Sequence, residues 1–228
     1  MQLAPPPLPK VDNDSDSVAI VQNLVRDLGT AAHPHANRLI ELGRQIPREI
    51  AADSLHFLSL LHGRKPSIFD IVYTGHHAGA GAGWVKDVAA CFSSTRTFLA
   101  QLVVAAGPPP SLFRQMQTEE VAGAMRRALL TLARSDREGC ALGAANTLAR
   151  DWIATERVIQ ALSKALGIES MVRHYRWPDQ AVLDEALHKI ADQPLIHRAV
   201  TFGARTLISQ NRAFWDMLEA RAQEIAKN

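Results

Sequence analysis

The sequence predicts an all-α fold, an antiparallel helical bundle of four long helices with shorter N-terminal helices packed on it. Three observations carry that prediction. Apolar residues recur at spacings of three and four over most of the chain. Gly, Pro and Ser/Thr/Asp capping residues interrupt these runs where helices would start and stop. The one β-branched, aromatic-rich run, Ile68 to Tyr73, has no partner strand and reads as a short helix after Pro66.

The elements follow in order. Asp14 or Ser15 caps a first helix carrying Val18, Ile20, Val21, Leu24, Val25 and Leu28, and Gly29 supplies a left-handed exit. A short helix after Pro34 runs through Leu39 to Gly43. Pro47 suits the first turn of a helix that ends at His62 and Gly63, with Ile50, Ala51, Leu55, Leu58 and Leu61 inward. From Trp84 to Ala106 the residues Val85, Val88, Phe92, Thr95, Leu99, Leu102 and Ala106 form an inward seam. Gly107 and the prolines after it end that helix.

Thr118, Glu119 and Glu120 start another helix, an N-cap oxygen followed by acids that the helix dipole favours. Its face is Val121, Ala124, Met125, Ala128, Leu129 and Leu132. Ser135-Asp136-Arg137-Glu138 reads as a capping box and a fresh start. The helix that follows places Ala141, Ala145, Leu148, Trp152, Thr155, Ile159, Leu162 and Leu166 inward. Its first half, Gly139 to Ala145, is nearly all small residues, which either admit a neighbouring backbone or leave room for a ligand. A helix over about Asp179 to Asp192 and a last one from Pro194 to Ala226 complete the chain. The last buries Ile196, Val200, Gly203, Leu207, Asn211, Phe214, Leu218 and Ile225. The expected organisation is a Pro-rich flexible arm over 1–13 and one all-α domain over 14–228, with short helices over 14–65 and the core bundle over 84–228.

Composition narrows function by exclusion. The 228 residues are 47% hydrophobic and 21% charged, enough to bury a core and too apolar for global disorder. A formal charge of +2 gives no reason to expect nucleic-acid binding. No run approaches the roughly 18 consecutive apolar residues of a membrane span. The first ten residues lack the charge and apolar core of a secretory signal, so no membrane is expected and the cytoplasm is the expected compartment. The two cysteines, Cys91 and Cys140, lack metal-ligand spacing and read as packed thiols.

A di-iron bundle needs inward Glu-x-x-His pairs. Glu185 and His188 are one such pair, but they fall opposite the apolar face of their helix. Asp53 and His56, a weaker variant, also fall away from their stripe. No metal site is expected, and no cofactor is named. The segment His76-His77-Ala-Gly-Ala-Gly-Ala-Gly83 precedes a long helix. It reads as a flexible turn, with an anion-binding loop of His76, His77, Gly81 and Gly83 as the sharper alternative.

The most informative polar residues lie on or beside the seams: Thr95, Arg96, Asp151, Thr155, Glu156 and Asn211, with Trp152 among them. Polar groups in a core must be paired or hydrated. Arg96 would pair with Glu156 or Asp151 if their helices are neighbours. The resulting patch either fixes helix register or lines a small-molecule site, where the arginine would favour an anionic ligand. The candidate ligand-binding set is Arg96, Asp151, Trp152, Glu156 and Asn211, with a small molecule as partner and a homodimer expected. A non-catalytic homodimeric interaction protein is the alternative function.

The run from Ser135 to Ala145, with Asp151-Trp152, resembles uncharacterised all-helical proteins of alphaproteobacteria. That resemblance implies no activity. The overall shape it implies is similar to ferritin-like or haem-oxygenase-like bundles, and an enzyme on such a scaffold is the third reading. A haem-oxygenase-like role would call on His62, the histidine on an apolar stripe. A thiaminase-like role would call on a nucleophilic cysteine.

Overall fold

The architecture was read from a computed structural model, which describes residues 16–75, 83–112, 115–168, 177–191 and 193–227. The proline-rich arm and residues 76–82 of the histidine–glycine loop, which include His76, His77 and Gly81, lie outside that set. The described residues form helices and contain no strand. In chain order these are α1 (Ser17–Leu28), α2 (Pro34–Leu42), α3 (Arg48–His62), α4 (Ile68–Thr74), α5 (Gly83–Ala106), α6 (Gln115–Ala133), α7 (Cys140–Ala165), α8 (Gln180–Ile190) and α9 (Pro194–Ile225). Single 3-10 turns at Thr30–Ala32 and Gly43–Gln45 link α1 to α2 and follow α2.

Helix α7 is the axis of the molecule. It packs on α9 along most of its length and also touches α1, α2, α3, α4, α5, α6 and α8. The small residues of its first half settle what they are for. A Cβ at Gly143 would collide with the backbone of Val200, and one at Gly203 with the carbonyl of Cys140. The two glycines face each other's helices, so the backbones approach closely and the space is filled by α9 rather than by a ligand.

The inward seam of α5 is buried as expected, from Val85 through Leu102 to Ala106. This helix is long and apolar enough to cross a membrane by length and composition alone. Its seam is covered by α3 and α4, the packing of a core helix. The main core draws on residues from Ala36 to Leu218. The short helix α3 is fully part of it, with Leu55, Phe57, Leu58 and Leu61 buried. A separate apolar cluster joins α1 to α8 and α9 through Val18, Val21, Leu24, Leu187, Ile196, Val200 and Ile208.

Several local expectations change. The cap of α1 is Asp16, whose carboxylate accepts the Val18 N–H. Gly29 is not left-handed: its φ is −73°. It is small because the carboxylate of Asp151 lies where its Cβ would go. The break before α7 is real, but Ser135 does not cap it. The helix starts at Cys140, behind Gly139 at φ 85°, a left-handed conformation that favours glycine. Helix α6 begins at Gln115, earlier than Thr118, and its buried face is Ala122, Leu129, Leu132 and Ala133. Val121 is exposed. The acids of Thr118-Glu119-Glu120 therefore sit just inside the helix rather than at its cap.

Candidate functional site

The seam residues divide between two sides of α7. On one side Asp151 is fully buried among α7, the turn after α1, and α9. Its carboxylate accepts the Thr30 N–H and the Thr30 hydroxyl, each at 2.7 Å, and the Asn211 amide at 3.0 Å. The Thr30 hydroxyl in turn accepts the Trp215 indole N–H at 2.8 Å and lies 3.2 Å from the Thr155 hydroxyl. Burial pushes the Asp151 carboxyl above its usual range, and the hydrogen bonds from Thr30 and Asn211 offset part of that. All its donors are accounted for. This is a tie between segments: it satisfies the orphan N–H at the start of the Thr30–Ala32 turn and fastens it to α7 and α9.

The other side is built around one ring. Phe92 of α5 lies 4.6 Å from Trp152 of α7, 5.1 Å from Phe69 of α4 and 6.1 Å from His62 of α3, measured between ring centroids. His62 meets Trp152 edge-on at 4.9 Å. One turn further along α5, the Arg96 guanidinium lies 5.8 Å from the centroid of the Phe92 ring. Arg96 does not pair with Asp151 or Glu156 as its sequence position suggested. Its Nη1 donates to Asp70 at 3.0 Å. Asp70 belongs to the capping box of α4, a short helix whose docking on α5 the periodicity of α5 alone does not reveal.

The Asp70 carboxylate also accepts the Ser67 N–H at 2.7 Å and the Ser67 hydroxyl at 2.8 Å. Its burial alone would raise its pKa. The Ser67 hydrogen bonds and the charges of Arg96 and Lys65 outweigh that and hold it below the usual carboxylate range. Burial, helped by the charge of Arg126, pushes the His62 ring down to about 3, so it is neutral at pH 7. Arg126 itself is spent on backbone, donating to the carbonyls of Leu61, Arg64, Lys65 and Pro66 at the end of α3.

Two donors in this cluster are unmet. Arg96 is 7% exposed and its Nη2 has no hydrogen-bond partner among the described residues. Trp152 is 0% exposed and its Nε1 has none either. Glu156 is buried one turn beyond Trp152. Gly83 is the first residue of α5. Sequence reasoning found Arg96, Trp152 and His62 but missed Phe92 as their common centre, and it missed Asp70 altogether.

The carboxylate–histidine variant on α3 also needs correction. Asp53 is buried, not solvated. It is held by Arg221 of α9 through two hydrogen bonds, of 2.8 and 2.5 Å, and Arg221 lies over the Phe57 ring. His56 pairs with Glu119 of α6 at 3.1 Å. A guanidinium thus neutralises the carboxylate that a metal-binding bundle would present to its ion. Glu185 and His188 are exposed, as expected, with Glu185 paired to Lys189 at 2.7 Å.

His33, Asp216 and Glu219 bring one ligand atom each within 4.8 Å of one another. However, His33 Nδ1 accepts the His35 N–H, so the neutral ring keeps its proton on Nε2 and donates it to Asp216 at 3.0 Å. A metal ion at His33 Nε2 would have to displace that proton and its hydrogen bond to Asp216.

Among the described residues, fold and site together define an all-helical protein whose buried aromatic cluster carries two polar donors without hydrogen-bond partners. The chain belongs to the DUF6975 family, a family of unknown function, whose sequence profile matches residues 25–225. No curated protein and no solved structure matches it.

Proposed function

We propose that the protein binds a small molecule between α3, α5 and α7, against the ring of Phe92. The observation that carries the reading is the pair of unmet donors among the described residues, Arg96 Nη2 and Trp152 Nε1, on two side chains that both neighbour that ring. A buried donor left unmade costs about 1–3 kcal/mol, more when it is charged. Two such groups beside one aromatic surface are accounted for by a ligand that supplies acceptors. In this reading Phe92, Trp152 and His62 provide the apolar walls, Asp70 holds Arg96 in place, and Arg126 fixes the end of α3 that carries His62. Asp151 and Asn211 support the scaffold and do not touch the ligand.

A native mass spectrum of the purified protein tests this. The expected result is a mass excess that vanishes on denaturation and is missing from Arg96→Ala. Wild type and variant both at the bare chain mass would overturn it.

A further inference from the structure

We propose that the outer face of the first half of α9 is a docking strip for the chain's own acidic segment before α1, residues 11–15. From Pro194 to Trp215 this helix carries Arg198, Arg205 and Arg212 and no acidic residue. Residues seven apart fall within about 20° of one another around a helix, so the three arginines form one stripe. Arg212 lies 4.0 Å from Asp216. Arg198 is exposed and Arg205 half-buried, and neither side chain has a hydrogen bond or an ion pair among the described residues. Asp136 and Glu138, exposed on the loop before α7, pair with neither of them. Leu195 and Phe202 lie beside the stripe, 71% and 50% exposed. The guanidinium of Arg137 lies 5.6 Å from the centroid of the Phe202 ring and adds positive charge at the edge. The face is cationic and apolar at once, and two of its arginines are unanswered.

The chain supplies what this face lacks, and supplies it close by. The residues before α1 read Val11-Asp12-Asn13-Asp14-Ser15. They lead into Asp16, whose own carboxylate caps α1. The Ser17 hydroxyl lies 2.6 Å from Nδ1 of His197, the residue before Arg198. The acidic segment therefore joins the described fold at one end of the strip. Asp14, three residues from Ser17, stays within about 10 Å of it, and Asp12 within about 17 Å. Arg205 lies about 10 Å along the helix from Arg198. Each carboxylate has an unpaired arginine within reach, and Val11 brings an apolar side chain toward Leu195 and Phe202. Exposed ion pairs are individually weak. A tethered segment acts at a high effective concentration, so two weak pairs hold it where a free acidic peptide would not stay.

Limited trypsin digestion of the full chain tests this, because Lys10 is the one lysine or arginine before α1. Release of the fragment 1–10 is followed by mass spectrometry, with a synthetic peptide of residues 1–16 as the undocked reference. The full chain is expected to release the fragment about three- to tenfold more slowly than the peptide, the worth of two exposed ion pairs. The double variant Arg198→Gln, Arg205→Gln is expected to release it at the peptide's rate. Asp14→Asn, which lies outside the helices and four residues beyond the cut bond, is expected to lose part of the protection, and keeps the test readable if the double variant does not fold. Raising the salt to 0.5 M should speed release from the wild type toward the peptide's rate, since exposed pairs are screened.

Release from the wild type as fast as from the peptide would overturn the proposal. Protection that survives both sets of substitutions would also overturn it, because the segment would then be held elsewhere. Protection that grows with protein concentration would overturn docking within one chain and assign the strip to the acidic segment of a second copy.

Discussion

His62 and His35 show how burial alone sets a residue's behaviour. Both rings are pushed well below the ordinary histidine value, to about 3 and about 4, chiefly because burial disfavours the charged form. The sign of the consequence follows from linkage. In the unfolded chain each ring takes up a proton as pH falls through about 6.5, while in the folded protein it does not. The unfolded state therefore gains protons that the native state refuses, and stability is lost as pH drops from about 6.5 toward 4. Each ring contributes a slope of about 1.4 kcal/mol per pH unit in that window. Urea unfolding at pH 7, 6 and 5 is expected to show this fall, and His62→Phe should reduce the slope by about half of the two rings' share. Asp151 acts in the opposite direction. Its raised pKa makes its contribution greatest in acid and smaller as pH rises through its folded value, so it partly offsets the histidines below neutrality. Asp70, held low, adds to the loss in acid.

Between elements, the contact of α7 with α9 is the most demanding. Gly143 and Gly203 leave no room for a methyl group, because the neighbouring atoms are backbone and cannot rotate away. Gly203→Ala is expected to force the helices apart and cost about 1–3 kcal/mol or more, read as a lowered midpoint in thermal unfolding. Gly123 is the control. It lies in α6, where a Cβ would meet only the Arg127 side chain at 3.5 Å. Gly123→Ala should stabilise the protein by about 0.5–1 kcal/mol, because alanine loses less conformational freedom in a helix. The same substitution with opposite signs on two helices separates close approach from simple propensity. Glycine in a sequence does not reveal which applies, since both sites lie inside helices.

At the scale of the whole molecule, the two apolar clusters imply unequal local stability. Helix α7 is packed against nearly every other element, whereas α1 is held by the smaller cluster with α8 and α9 and by the Thr30–Asp151 tie at its end. Native-state hydrogen exchange is expected to show the amides of α1 opening at lower free energy than those of α7, since fewer buried contacts oppose local unfolding there. Equal protection in both would mean that the clusters open as one unit. The family match begins at residue 25, within α1, so most of that helix precedes the matched span.

Much of the architecture was written in the periodicity. The seams of α5, α7 and α9, the helix at Ile68–Thr74 and the break before Cys140 follow from spacing, β-branching without a partner strand, and glycine placement, because a helix must bury one stripe whatever it packs against. What spacing does not contain is which stripe meets which. Asp70 rather than Glu156 pairs with Arg96, Arg221 buries Asp53, and Asp151 faces Thr30, whose partnership lies 121 residues away along the chain. Polar pairing across such separations is decided by three-dimensional adjacency, since the cost of an unpaired buried group is met by whichever element the tertiary fold brings alongside.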